Sequence, residues 1–303
     1  MVNWNSDRQL RECIESIQGA EKSNFGLNRI FVVDNASSDS SLEKLSSTDL
    51  PLKVIKNKSN RGFAAACNQG IALSIADYIL FLNPDVRLFT SSISSTIAYL
   101  ERTENKKVGI CGIQLIDAND RIAHSCSRFP RNKIFFAQAF YFNHIFPSLN
   151  QAMVEWDHGT TREVDQVMGA FFLVKKEVIT TIGNFDERFF VYFEEVDFCL
   201  RAKNEGYLCV FFVGARAFHK GGGVSEKVKS LRLFYSLRSR IMYGFKNFVF
   251  PNTILLLIIT LLIEPISRVF QGVLHFSKNE VFEVLYAYFL LYKNLVSIFR
   301  LSK

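Results

Sequence analysis

The sequence predicts an α/β fold followed by a basic, apolar, helical C-terminal region, and three observations carry that prediction. In the first half, short β-branched and aromatic runs alternate with helical stretches, the pattern of a mostly parallel sheet covered by helices. Two of the runs end on Asp34 and on Asn83-Pro84-Asp85, and in such sheets ligands bind beyond the carboxyl ends of the strands. Residues 229–303 hold 10 basic and 3 acidic residues and are the most apolar part of the chain, whereas residues 1–228 hold 26 of each sign. The whole net charge of +7 therefore sits in an apolar segment. That combination suits an anionic membrane surface and argues against a nucleic-acid groove. With 303 residues, 49% of them hydrophobic, the chain can build a sizeable core. The division expected is 1–226 for an α/β domain and 227–303 for a membrane-associating region.

The elements follow in order. Only Met1 and Val2 precede Asn3-Trp4-Asn5, where an α/β domain wants a buried strand, so the first strand is either short or begins upstream. Strands are expected at Arg29–Val33, Leu52–Ile55, Tyr78–Leu82, Val108–Gly112 and Val167–Val174. Helices are expected at Arg8–Ile17, Ser40–Leu45 and the Ala-rich Gly62–Ala76. The aromatic insertion Ile134–Phe146 reads either as a core-packed helix or as a surface facing lipid or acceptor. Residues 247–263 form an uncharged run of 17, at the lower edge of what a spanning helix needs, and Val284–Tyr292 is a shorter one. Helices lying in the membrane interface are favoured over a span, and a span over a soluble helical core or homodimer face. Cys13, Cys67, Cys111, Cys126, Cys199 and Cys209 include no CxxC pair, which fits a reducing compartment and no Cys-rich zinc site.

No GxGxxG and no GxxxxGK[ST] occurs, so the commonest phosphate cradles are absent. Asp34, followed by Asn35-Ala36-Ser37-Ser38-Asp39, can accept from base or ribose donors, or belong to a capped turn. Asp85, fixed by Pro84, suits Mg²⁺ or Mn²⁺, or a simple turn. Glu194, Glu195 and Asp197 crowd three acids into four residues beside aromatics, which raises at least one pKa and suits a general base. Asp197 and Arg201 also have the spacing of a surface ion pair. His219, before a glycine run, is a core histidine or a loop ligand better matched to Mn²⁺. Tyr235, Arg238 and Arg240 are ordinary helix residues or contacts for acceptor phosphates.

Taken together, Asn3-Trp4-Asn5, Val33–Asp39, Asn60-Arg61-Gly62-Phe63 with Asn68 and Gly70, Asn83-Pro84-Asp85, Gly169-Ala170, the FEEVDFCLR run and His219 with Gly222 and Ser225 resemble family 2 inverting glycosyltransferases of the GT-A fold. The nearest subgroup is similar to bacterial rhamnosyltransferases of cell-wall or O-antigen polysaccharide. The resemblance covers roughly residues 2–225. It implies a GT-A sheet, a nucleotide-sugar donor (dTDP-rhamnose first, with galactose, N-acetylglucosamine and mannose open), a divalent metal, and a saccharide acceptor, often lipid-linked, at the cytoplasmic face of a bacterial inner membrane. It places Asn3 and Asn5 beside the nucleotide, Asp34 on the nucleoside, and Arg61, Gly62 and Asn68 along the nucleotide sugar. Asp85 takes the metal-binding position of a DxD element in which Asn83 replaces the first Asp. Gly169 and Ala170 approach the donor sugar. Glu195 stands where the family has the Asp of a Glu-Asp pair and is the candidate base, with Glu194 and Asp197 behind it. His219 is expected on the metal or diphosphate. The other class kept open is a non-catalytic nucleotide-sugar-binding scaffold.

Overall fold

The apolar runs become strands, but their order in space is not their order in the chain. The computed structural model describes residues 1–43, 45, 49–221 and 228–301. Strands β1 (Val2–Asn3), β2 (Ile30–Asp34) and β3 (Leu52–Lys56) form a parallel sheet in that order, with Asn3 opposite Asp34. A second sheet holds β4 (Tyr78–Leu82), β5 (Val86–Leu88), β6 (Val108–Ile116), β8 (Arg162–Val164), β10 (Phe171–Lys175) and β11 (Leu208–His219). Its order is β4-β10-β6-β11-β5, with β8 also beside β11. Strands β7 (Cys126–Ser127) and β9 (Gln166–Val167) make a separate antiparallel ribbon.

The second sheet is mixed, as the resemblance to the GT-A fold implies and unlike the mostly parallel sheet that strand–helix alternation alone suggests. β10 runs antiparallel to β4 and β6, β11 runs antiparallel to β5 and β8, and β6 pairs with β11 in parallel. The reason lies at Met168-Gly169-Ala170. The expected single strand at 167–174 breaks there, so β9 stays with β7 while β10 enters the sheet reversed between β4 and β6. All nine residues of β6 are buried, as a central strand covered on both faces requires.

Helix α1 (Gln9–Gln18) buries Leu10, Cys13, Ile14 and Ile17, the three-and-four spacing of one face. Helix α2 (Phe63–Leu73) packs its alanines on β2, where small side chains allow close approach. Helices α3 (Ser92–Leu100), α6 (Lys176–Ile182) and α7 (Glu194–Asn204) complete the α/β part. Residues 41–43 of the expected helix Ser40–Leu45 are turn, and residue 44 lies outside the described residues. The first strand is only two residues long. Beyond it, a cavity of about 640 Å³ separates β2 from β4, walled by Met1, Phe31, Tyr78, Leu80, Ile93 and Ile97 among others. All six cysteines are buried free thiols.

The insertion becomes α4 (Asn132–Ala139) and the single turn α5 (Phe142–Ile145). It is core-packed on one face and exposed on the other. Phe135 and Ala139 are buried against Leu256 and Ile259, while Phe136, Phe140, Phe142, Ile145 and Phe146 are exposed. Helix α8 (Lys229–Asn247) is part of the main core, where Leu237, Ile241 and Tyr243 join Phe189, Phe198 and Phe211. Helix α9 (Phe250–Ile258), a π-helical turn at Ile259–Ile263 and α10 (Glu264–Leu274) form one continuous helix, and α11 (Lys278–Leu301) packs on α8 and α10. Phe250–Leu274 and Lys278–Leu301 are each long and apolar enough to cross a membrane, and only 28% and 22% of their most apolar stretches are buried in the protein.

Candidate active site

The site is built from strand ends and from the turns that follow them. At the end of β2, Asp34 is buried and accepts from Asn3 Nδ2 at 2.7 Å and from the Ser37 backbone N–H at 3.3 Å. Asn3 also donates to Ser41 Oγ at 2.8 Å and accepts from Ser6 at 2.6 Å. It is a fully buried hub that holds the turn rather than a side chain open to a nucleotide. Asn5, with φ +52°, accepts from the Ser38 N–H at 2.8 Å. These bonds fold the 35–39 segment over the strand end.

Residues 60–63 lie beside it. Asn35 Nδ2 donates to the Gly62 carbonyl at 3.0 Å, and the Phe63 N–H donates to the Phe190 carbonyl at 2.6 Å. Gly62 has φ +87°, and a Cβ there would sit 2.4 Å from the Phe190 oxygen, so only glycine fits. Arg61 is exposed. Asn68 departs from the expected role along the donor. Its Nδ2 donates to the Phe185 carbonyl at 2.9 Å and to Glu187 at 3.0 Å, and its Oδ1 accepts the Phe185 N–H at 3.1 Å. Both ends of the amide are spent clamping α2 to the loop before α7.

Beyond β4, the Asn83 N–H donates to the Ala170 carbonyl at 3.0 Å, which ties the Asn-Pro-Asp turn to the break between β9 and β10. Asp85 Oδ2 and His219 Nε2 stand 3.3 Å apart, brought together because β11 ends beside β5. No group of three or more potential protein ligands occurs among the described residues. A carboxylate with one imidazole nevertheless fits a divalent ion that takes the rest of its shell from substrate oxygens and water. Gly222 and Ser225 lie outside the described residues.

The acidic cluster opens α7. Tyr192 and Phe193 both have positive φ, +66° and +70°, a strained approach of the kind found at functional sites. Burial, then the charge of Glu195, pushes the Glu194 carboxyl well above the usual range. Burial also raises Glu195, against hydrogen bonds from Glu194 and from the Gly169 backbone. The two buried carboxyls are thus coupled, and each holds a proton more readily than a free glutamate. Asp197 is not the surface ion pair expected. It is fully buried, 2.9 Å from Arg201 and 2.7 Å from Lys246, and Lys246 also reaches Asp186 at 2.7 Å. Two cations hold its carboxylate, so it braces α7 against α8.

Glu195 borders a cavity of about 300 Å³ walled by Phe135, Gln138, Gln151, Gln166, Tyr192, Phe193, Val196, Ser236 and Arg240. Of the expected residues, Glu195 and Arg240 line this cavity. Gly169, Ala170 and Asn83 connect it through backbone contacts toward Asp85 and His219. Asp34 lies across the Asn35–Gly62–Phe190 bridge. Sequence reasoning missed the three glutamines, Ser236 and Lys246. Single Gln and Ser residues spread over a hundred positions carry no periodic signal. Tyr235 stacks on Phe190 with ring centroids 4.7 Å apart, Arg238 donates to the Arg188 carbonyl at 3.2 Å, and Arg240 pairs with Glu264.

Comparison with known proteins adds the following. Residues 1–162 match the family model described as Glycosyl transferase family 2. The low-salt glycan biosynthesis hexosyltransferase Agl10 of Haloferax volcanii is 26% identical over 211 residues, covering 68% of this chain and 61% of that protein. The N-acetylglucosaminyl-diphospho-decaprenol L-rhamnosyltransferase of Mycobacterium tuberculosis is 23% identical over 206 residues, 63% of this chain and 66% of that one. The matches thus span less than two thirds of these relatives' lengths. Among solved structures, the mannosyltransferase PcManGT from Pyrobaculum calidifontis, in complex with GDP-Man and Mn²⁺, superposes with a TM-score of 0.56 at 15% identity over 98% of this chain and 86% of that one. This likeness identifies the mixed sheet as a GT-A-like fold.

Proposed function

The chain belongs to glycosyl transferase family 2, and from that premise we propose that it transfers a sugar from a nucleotide-sugar donor to a saccharide acceptor, with inversion. The observation that carries the reading is the buried Glu194–Glu195 pair at the head of α7, with Glu195 bordering the cavity and both carboxyls raised by burial. A base must be ionised near working pH yet hold a proton well, and a raised carboxylate meets both demands.

Glu195 removes the proton of an acceptor hydroxyl as its oxygen bonds to the anomeric carbon. The bond from that carbon to the donor diphosphate breaks on the opposite face, and its electron pair leaves with the nucleoside diphosphate. Glu194, buried beside it, hydrogen-bonds to Glu195 and holds its position. The turn at Asn35–Gly62 and the Asp34 carboxylate frame the nucleoside end. Asp85 and His219 would hold a divalent ion, which when bound offsets charge on the leaving diphosphate. The relative from Mycobacterium tuberculosis makes rhamnose the first donor to test, as dTDP-rhamnose, and a lipid-linked saccharide the first acceptor.

The tail supports work at a membrane surface, on the cytoplasmic leaflet. Phe250, Ile254, Ile258, Leu262, Ile266 and Phe270 form an exposed stripe at every fourth residue along α9–α10. Lys278, Lys293 and Arg300 are exposed on α11. Glu264, midway along the apolar helix, is buried and held by Arg240 of α8 and by Arg268 at 2.7 Å. That clamp favours a helix lying in the interface over one crossing the bilayer. Incubation with dTDP-rhamnose and a panel of UDP- and GDP-sugars, with a purified lipid-linked acceptor and with or without EDTA, tests the reading by product mass. Turnover of a UDP-sugar alone would reject rhamnose; no turnover with any donor would favour a scaffold.

A further inference from the structure

We propose that the cavity between β2 and β4 is the seat of one further strand, an apolar segment of this chain running ahead of Met1 and parallel to β2, a proposal that stands whether or not the transferase reading does. A backbone ladder stops partway along β2. The Asn35 N–H donates to the Asn3 carbonyl at 2.8 Å, and two residues earlier on both strands the Val33 N–H donates to the Met1 carbonyl at 2.9 Å. The Met1 amine donates to the Phe31 carbonyl at 2.8 Å. The next rung is the Phe31 N–H, which points the same way, toward the cavity. Across the gap, β4 is the edge strand of its sheet. The Lys176 N–H bonds the Asp77 carbonyl and the Asn83 N–H bonds the Ala170 carbonyl. With the register of β4 on β10, the backbones of Ile79 and Phe81 therefore face β10, and those of Tyr78, Leu80 and Leu82 face the cavity. Two strand edges thus look onto one gap, and among the described residues no strand lies between them.

The walls define what fits. On one face the cavity meets Ile17 of α1 and Ile93 and Ile97 of α3, which share a cluster with Ile30 and Val32. On the other it meets Ala66 and Gly70 of α2, on the side of Phe31. A strand covered by helices on both faces is apolar at successive positions, and the five residues of β4 set its length at about five. Phe31, Ile79 and Leu80 are only half-buried and gain cover from it. A free apolar ligand would fill the space and leave the backbone groups unmet, while water would find few polar partners on these walls. A peptide supplies both apolar side chains and N–H and C=O groups at the strand repeat of about 3.3 Å. Continuity decides the source. The ladder already runs through Met1, whose amine takes the place of an amide N–H, and burial pushes the pKa of that amine below its ordinary value. A peptide bond there carries no charge, whereas a strand from another molecule would have to abut the amine. The added strand ties the turn after Asp34, at the end of β2, to the Asn83-Pro84-Asp85 turn, at the end of β4.

The test compares the 303-residue chain with a chain extended by the residues encoded in frame ahead of Met1, and with one extended by a Gly-Ser segment of equal length. The in-frame residues are expected to include an uninterrupted apolar run of about five. Tm rises by about 5 °C or more with the natural extension and not with Gly-Ser. Amide hydrogen exchange at Phe31 and Leu80 slows about tenfold or more with the natural extension alone. A 303-residue chain that fails to fold, beside a stable extended chain, supports the proposal equally. A stop codon or a polar stretch in place of the apolar run, equal melting of the three chains, or unchanged exchange at Phe31 and Leu80 would overturn it. An acetylated peptide of about five Val and Ile residues, added to the unextended chain, separates the sources. Protection conferred by that peptide, with no apolar run encoded upstream, would assign the cavity to a strand from a partner and overturn the assignment to this chain.

Discussion

At the residue scale the account rests on how protons are distributed at the head of α7. Because the Glu195 carboxyl is raised, the catalytic rate rises with pH along a limb displaced above the ordinary glutamate range, measured as kcat against pH with saturating donor. Stability has the opposite sign. The raised Glu194 carboxyl favours the folded state fully below its unfolded pKa, and that contribution is lost as pH rises through the folded value. Glu194→Gln keeps a donor to Glu195 without a titrating proton, so its Tm falls less steeply with rising pH than that of the wild type; parallel curves would contradict this. Gly62→Ala, which forces a Cβ against the Phe190 carbonyl at φ +87°, costs about 2 kcal/mol in denaturant unfolding. Asp85, His219 and Glu195 could be singled out in the sequence because each sits in a short motif whose chemistry is local. Asn3 and Asn68 were legible as residues but not as roles, because hydrogen bonds to Ser41 and Phe185, 38 and 117 residues away, decide what they do.

At the element scale, strands and helices were readable wherever burial is periodic, as in α1 with its single buried face and in the continuous apolar run of β4. The direction of β10 was not, because it is set by the turn at Gly169 and by competition between β7 and the main sheet for the two halves of one apolar run. Nor was the union of the two parts of the chain. Lys246, at the end of α8, spans Asp186 and the fully buried Asp197. Breaking such a contact leaves a carboxylate buried with one cation fewer. Lys246→Ala is expected to lose about 3 kcal/mol of stability, and a loss below about 1 kcal/mol in urea unfolding would show that α8 is held by its apolar face alone.

At the scale of the whole molecule, the exposed aromatics of α4–α5 and the stripe on α9–α10 belong to neighbouring elements, since Phe135 and Ala139 pack on Leu256 and Ile259. Ile266→Glu with Phe270→Glu is therefore expected to weaken sedimentation of the full chain with phosphatidylglycerol vesicles by about tenfold, with unchanged melting. Equal sedimentation would mean that the apolar surface serves another copy of the chain. The sequence revealed this surface as composition, through a charge excess confined to an apolar segment. The ion cluster of Arg240, Glu264 and Arg268 that keeps the helix against α8 joins distant positions and left no local trace.

The central claim is that Glu195 is the base of a nucleotide-sugar transferase. The most direct test is the anomeric configuration and rate of product formation by NMR for the wild type and Glu195→Gln, with the donor that turns over in the panel. The account predicts an inverted product from the wild type and a loss of about 100-fold or more in kcat for the variant, with donor KM little changed. A retained configuration, or a Glu195→Gln enzyme running at the wild-type rate, would contradict it.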